Sequence, residues 1–196
     1  GVRGLVQADN QHWTFQQLES GGRRSVQCEG RLVPSENGSQ LELTFSGNRV
    51  PLDDDLFGAV SPQVQRAWTE LRAKGHVDFT ARVSHLEGEG QPRIWTSIRP
   101  LPETASIQPK FFDYEMDDLS GEVTYEDGDL ELIRMKARHD DTLLSAGGSG
   151  HSARGVGWQL QWTGLTVERL RPARDLRASL PPKMAITIDA LQPRGS

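Results

Sequence analysis

Asp53 to His76 reads DDDLFGAVSPQVQRAWTELRAKGH, and this stretch decides the fold because it returns 120 residues later. Asp55-Leu56, Pro62, Leu71 and Gly75 are matched, without a gap, by Asp175-Leu176, Pro182, Leu191 and Gly195. Between them Val60 faces Leu180, Val64 faces Met184 and Lys74 faces Arg194, all conservative pairs. Five identities in 21 aligned positions exceed chance, so the chain is read as part of a repeat array with a unit of ~120 residues. Residues 1–75 are the C-terminal part of one copy, ending in a helix. Residues 76–196 are the next copy, ending in the equivalent helical block.

The spacing predicts one short amphipathic helix in each block. Leu56, Val60, Val64, Ala67, Trp68 and Leu71 recur every three or four residues and so share a face. Ser61 can cap it, Pro62 suits a first helical turn, and Gly75 suits the position just past the end. Asp53, Asp54 and Asp55 lie where negative charge favours a helix N-terminus. A Ca²⁺ loop would need more widely spaced oxygen ligands, so the triplet is read as a solvated cap. In the second block Ile186, Thr187 and Ile188 are β-branched and weaken the helical signal.

Around these blocks the pattern is β. Leu41, Leu43 and Phe45 alternate with Glu42 and Thr44 before Gly47-Asn48 turns the chain toward the helix. Val77, Phe79, Ala81 and Val83 alternate with polar residues, and Gly88-Glu89-Gly90 makes a hairpin turn to Ile94, Thr96 and Ile98. Val123 and Tyr125 share a side. Glu126-Asp127-Gly128-Asp129 is a turn, after which Leu130 and Leu132 line up. The phase slips at Ile133, so that Met135 and Ala137 follow, which predicts a bulge. Thr142 to Ala146 is a further strand, ending at Gly147-Gly148-Ser149-Gly150. Leu160 and Trp162 alternate with Gln159 and Gln161. The N-terminal part echoes this order. Gly4-x-Val6 matches Gly121-x-Val123, Trp13-x-Phe15 matches Leu130-x-Leu132, and Gln40-Leu41 matches Gln159-Leu160, at offsets drifting between 117 and 120.

The totals exclude more than they select. The chain has 196 residues, no Met at position 1, and ends that fall inside the repeat, so a segment of a longer protein is expected. Hydrophobic residues make up 35%, which suits an open β protein better than a thick core. A net charge of −5 with both signs mixed leaves no basic footprint for nucleic acid. The lone Cys28 excludes an internal disulfide and reads as a small buried hydrophobe on a strand. His12, His76, His85, His139 and His151 show no metal-ligand spacing, and His139-Asp140-Asp141 reads as a polar turn. Gly147-Gly148-Ser149-Gly150 lacks the lysine and helix of a phosphate loop. Acidic residues abound but nothing selects a catalytic pair, so neither an enzyme nor a cofactor is expected.

Strands with one apolar face must cover that face. A helix is about 10 Å wide and strands lie about 4.8 Å apart, so one helix shields about two strands, not six. The rest must meet a second sheet, curl on itself, or hold an apolar ligand.

Leu119-Ser120-Gly121-Glu122-Val123, the Gly turn, Leu130-Glu131-Leu132, Ala137-Arg138-His139 and Thr142-Leu143-Leu144-Ser145-Ala146-Gly147-Gly148 together resemble the AsmA-like, TamB-related repeat of bacterial envelope proteins. Val50-Pro51-Leu52-Asp53-Asp54-Asp55-Leu56 and its helix resemble the block between repeats in very large members. The similarity covers most of 50–195 and, more faintly, 1–49. It implies a curved antiparallel sheet of the β-taco type in the periplasm. It further implies a parent anchored in the inner membrane, a role in lipid traffic between membranes, and no catalytic residues. The helix inside the repeat departs from a smooth groove. On this reading the lining is Val77, Phe79, Ala81, Val83, Ile94, Ile98, Val123, Tyr125, Leu130, Leu132, Leu160 and Trp162. Its partners would be phospholipid or another lipid, and neighbouring repeats. The competing reading is a structural or adhesive β-sandwich module with a closed core and no ligand. A hydrolase would instead need a polar cleft with converging Asp, Glu or His.

Overall fold

A computed structural model of the chain describes residues 2–9, 12–20, 26–35, 38–112, 114–153 and 157–169. Ten strands follow one another: β1 (Val2–Asp9), β2 (His12–Ser20), β3 (Val26–Ser35), β4 (Gly38–Pro51), β5 (His76–Leu86), β6 (Arg93–Pro100), β7 (Asp117–Glu126), β8 (Asp129–His139), β9 (Thr142–Ala153) and β10 (Gly157–Glu168). Each pairs antiparallel with the next, so the sheet is a single curved, unclosed meander in sequence order. The division after Gly75 falls inside this sheet, because β4 and β5 pair with each other across it.

Local chemistry accounts for most of the turns. Asp127 and Gly128 both have positive φ, 45° and 108°, as a two-residue primed turn between β7 and β8 requires. The slip at Ile133 is a bulge: the register of β8 against β9 shifts between Leu132 and Met135, with Arg134 at φ 48°. Asp53 caps the following helix, its Oδ1 accepting from the Leu56 amide at 3.1 Å.

Three local expectations are corrected. The helical block is two helices, α1 (Asp54–Ala59) and α2 (Pro62–Leu71). Val60 and Ser61 stand between them in extended conformation, because the ring of Pro62 keeps the residue before it out of the helical region. α2 ends at Leu71 with left-handed Arg72, not at Gly75. Gly75, at φ 100°, instead lets the backbone pass against Thr104, where any Cβ would overlap the Thr104 carbonyl. Gly47-Asn48 is no turn but a bulge within β4. Arg49 there has φ 51° and donates its amide to Asp78 Oδ1 at 2.7 Å.

β9 also runs on through Gly147–Gly150 to Ala153, since β8 and β10 hydrogen-bond it from both sides. The second helical block, 175–195, lies outside the described residues, and with it the comparison of the two blocks.

The core is a strip at one end of the sheet. Val50 and Val77, 4% and 5% exposed, sit where β4 ends and β5 begins. Ala105 and Tyr114, in the connection from β6 to β7, complete the set of buried hydrophobics among the described residues. That connection is tied to the helical block by paired backbone bonds between Lys74 and Ser106 and by Lys110 N–H to the Glu70 carbonyl. Tyr114 stacks on His139, ring centroids 3.9 Å apart, and His139 Nδ1 donates to the Glu115 carbonyl at 2.7 Å. His139 thus anchors the end of β8 to the connection from β6. Among the described residues no large side chain is fully buried and no second sheet packs on the first.

Candidate apolar binding face

Residues opposite one another in an antiparallel sheet share a face. Register therefore traces continuous rows across the strands. One row runs Gly47, Phe79, Ile98, Val123, Leu132, Gly148, Trp162. The next runs Cys28, Phe45, Ala81, Thr96, Tyr125, Leu130, Gly150, Leu160. A third runs Val6, Phe15, Gly30, Leu43, Val83, Ile94, and Val77 lies beyond Phe79 on the same side of β5. All twelve residues singled out from the sequence therefore fall on one face. The list omitted Leu41, Leu43 and Phe45 of β4 and Phe15 of β2. Their alternation is legible in the sequence.

Gly30, Gly47 and Gly150 on this face are overlaid by side chains from the adjacent strand. A Cβ on Gly150 would come 2.6 Å from Leu160 Cδ2 and 3.7 Å from Leu130 Cδ2, so these two leucines meet over it. A Cβ on Gly30 would come 2.6 Å from Leu43 Cδ2. A Cβ on Gly148, by contrast, would meet only the backbone of Gln161 and Trp162. Eleven of the twelve residues are half-buried or exposed, and only Val77 is buried. Exposure is greatest on β10, at 44% for Leu160 and 52% for Trp162.

The opposite face is polar and internally paired. Arg31 Nε meets Glu42 Oε2 at 2.7 Å, and the Arg82 guanidinium lies 4.8 Å above the Trp95 ring. Glu122 accepts from Ser97 Oγ at 2.6 Å and from Arg99 at 3.3 Å. The serine hydrogen bond, helped by Arg99, holds the Glu122 carboxyl below the usual carboxylate range against the opposing effect of desolvation. Cys28 is half-buried on the apolar face, less covered than its composition suggested. Burial, then the Glu29 carboxylate, push its thiol pKa up, away from the reactive thiolate.

Among the described residues no three His, Cys, Asp or Glu side chains group as metal ligands would. No described helix is long and apolar enough to cross a membrane. A scan against protein-family models, a search of curated proteins and a search of solved structures each returned no match.

Proposed function

We propose that this chain is a non-catalytic section of a large AsmA-like envelope protein whose apolar β face guides lipid acyl chains. The observation that carries this reading is the apolar side that register traces across the sheet, on which eleven of the twelve lining residues are half-buried or exposed. Such a face needs no fixed polar partner for its ligand, only continuous area from which water is excluded. Magnitude favours passage over storage. A methylene fully removed from water contributes about 0.8 kcal/mol, so ten methylenes half-covered give on the order of 4 kcal/mol, about millimolar affinity. A lipid held so weakly per section can slide along it. The resemblance adds a periplasmic setting and an inner-membrane anchor to the proposal.

The repeat belongs to the same proposal, and the sheet register supports it. The register of β1 against β2 shifts between Arg3 and Leu5, and that of β7 against β8 shifts between Ser120 and Glu122, 117 residues on. The register of β2 against β3 shifts between Phe15 and Leu18, and that of β8 against β9 between Leu132 and Met135, again 117 residues on. Bulges are specific local events, so these two coincidences support matching β1–β3 with β7–β9, whereas β10 shifts register against β9 between Thr163 and Thr166 and β3 pairs with β4 without a shift.

The test is site-specific photo-crosslinking to acyl chains, with the photoreactive residue in turn at Phe79, Leu132, Arg82 and Glu131. Labelling at the first two and not the last two is expected; labelling confined to Arg82 and Glu131 refutes the reading.

A further inference from the structure

We infer that the cavity at the β8 and β10 bulges is a binding site for a small phosphomonoester, whose phosphate is held by Arg134 and Lys136. The inference rests on the geometry of three strands, not on the lipid or the repeat.

The first observation is an opening in the ladder. Leu132 to Met135 on β8 spans Gly148 to Ala146 on β9, and Thr163 to Thr166 on β10 spans Gly147 to Ser145. Each neighbour of β9 thus carries one extra residue at the same level. Left-handed Arg134, φ 48°, stands on one side and Gly164, φ 59°, on the other. A cavity of about 500 Å³ lies there, lined by Arg134 and Lys136 of β8, Ser145 and Gly147 of β9, and Thr163 and Gly164 of β10. Gly148 belongs to an apolar row, so Gly147 and Ser145 belong to the opposite face. A Cβ on Gly147 would stand 3.1 Å from Thr163 Oγ1, so glycine keeps this space open.

The second observation is uncommitted charge. Among the described residues neither Arg134 nor Lys136 makes a hydrogen bond or ion pair through its side chain. Glu122 feels the Arg134 charge, but its carboxylate is bonded to Ser97 and Arg99. Ser145 Oγ and Thr166 Oγ1 share one hydrogen bond, which uses one of their two protons and leaves the other for a ligand. Two cations and the hydroxyls of Ser145 and Thr163 therefore border one space from three strands.

The third observation is that the bulge does not require them. The bulge of β2 against β3 places Glu19 opposite Gln27, where β8 places Lys136 opposite Ser145. Gln17 stands where β8 has Arg134. β3 and β4 pair without a shift, so that region has no second bulge.

The charges select the ligand. A carboxylate offers one charge and two oxygens, whereas a phosphomonoester near pH 7 offers almost two charges and three acceptor oxygens. The guanidinium fork can take two of those oxygens and the ammonium the third. The volume lies within the range of about 300–1,000 Å³ usual for small-molecule sites and exceeds what a bare phosphate fills, which leaves room for an organic group.

Calorimetric titration of the full chain with glycerol 3-phosphate tests this. Saturable binding with a Kd on the order of 1 mM or tighter is expected. Arg134→Gln and Lys136→Gln should each weaken it at least about tenfold, because each removes charge-assisted hydrogen bonds. Arg93→Gln, at a surface arginine outside the cavity, should leave it unchanged. All three side chains are exposed, so the variants should fold as the parent does, which circular dichroism checks. No saturable binding, equal binding of uncharged glycerol, or an equal loss in Arg93→Gln would each overturn the proposal. Vesicles of phosphatidic acid are the second probe. Capture by them that disappears in the Arg134 and Lys136 variants would move the phosphate onto a lipid and overturn the small-molecule assignment. Acyl-chain labelling is read from the other face, so failure here leaves the lipid reading to its own test.

Discussion

Gly75→Ala is the substitution on which the packing of the sheet end can be judged. Gly75 has φ 100°, a region that costs a residue with a Cβ about 1–3 kcal/mol. Its added methyl would overlap the Thr104 carbonyl and come 2.7 Å from Ala105 Cα, both backbone atoms that cannot rotate aside. The 104–106 segment must then retreat. That retreat strains the two backbone bonds joining Lys74 and Ser106, now 3.0 and 3.1 Å, each contributing about 0.5–1.5 kcal/mol. Together the loss is about 2–6 kcal/mol, or roughly 4–24 °C in Tm for a chain of this size. Gly58→Ala is the matched control. Gly58 lies in α1 with nothing within 4 Å of its would-be Cβ, so the same methyl should stabilise by about 0.5–1 kcal/mol. Urea unfolding followed by far-ultraviolet circular dichroism measures both. A loss under about 1 kcal/mol at Gly75, or the same sign at both sites, would show that the 101–116 connection does not pack on the helical block as described.

Three further outcomes follow from the two faces. Trp162→Asp should change stability by less than about 1 kcal/mol, because the side chain is 52% exposed, yet abolish acyl-chain labelling from a neighbouring photoreactive Leu132; retained labelling would count against the lipid reading. The Glu122 carboxyl has a lowered native pKa, so its stabilising effect is present above the ordinary carboxylate range and disappears as pH falls through the native value. Glu122→Gln should therefore flatten the fall in urea midpoint between about pH 5 and pH 3, which a pH series of melts reads directly. Cys28 should react with iodoacetamide at pH 7.5 more slowly than free cysteine and recover the free rate in urea, since burial and Glu29 both disfavour its thiolate.

Much of the face was legible before any coordinates. Alternation in Val77 to Val83 or Leu130 to Leu132 is a property of residues two apart, and the pleat converts it directly into sidedness. The same local logic located the bulge after Leu132, the Asp127-Gly128 turn and the Asp53 cap. Glycines were the blind spot. Gly147, Gly148 and Gly150 have no side chains to alternate, so the strand through them was invisible, although the smallness of Gly150 lets Leu130 and Leu160 close over it. Pro62 was read as the start of a helix, but its effect on the residue before it, which splits the block in two, was not.

Sequence by itself determined that most strands have a greasy and a wet side, because that depends only on the order of neighbouring residues. Tertiary structure alone decided that ten such sides join into one surface, and that the protein's scarce buried core sits at one end of it. Those outcomes depend on hydrogen bonds between strands and on contacts such as Tyr114 on His139, made by residues that no local pattern connects.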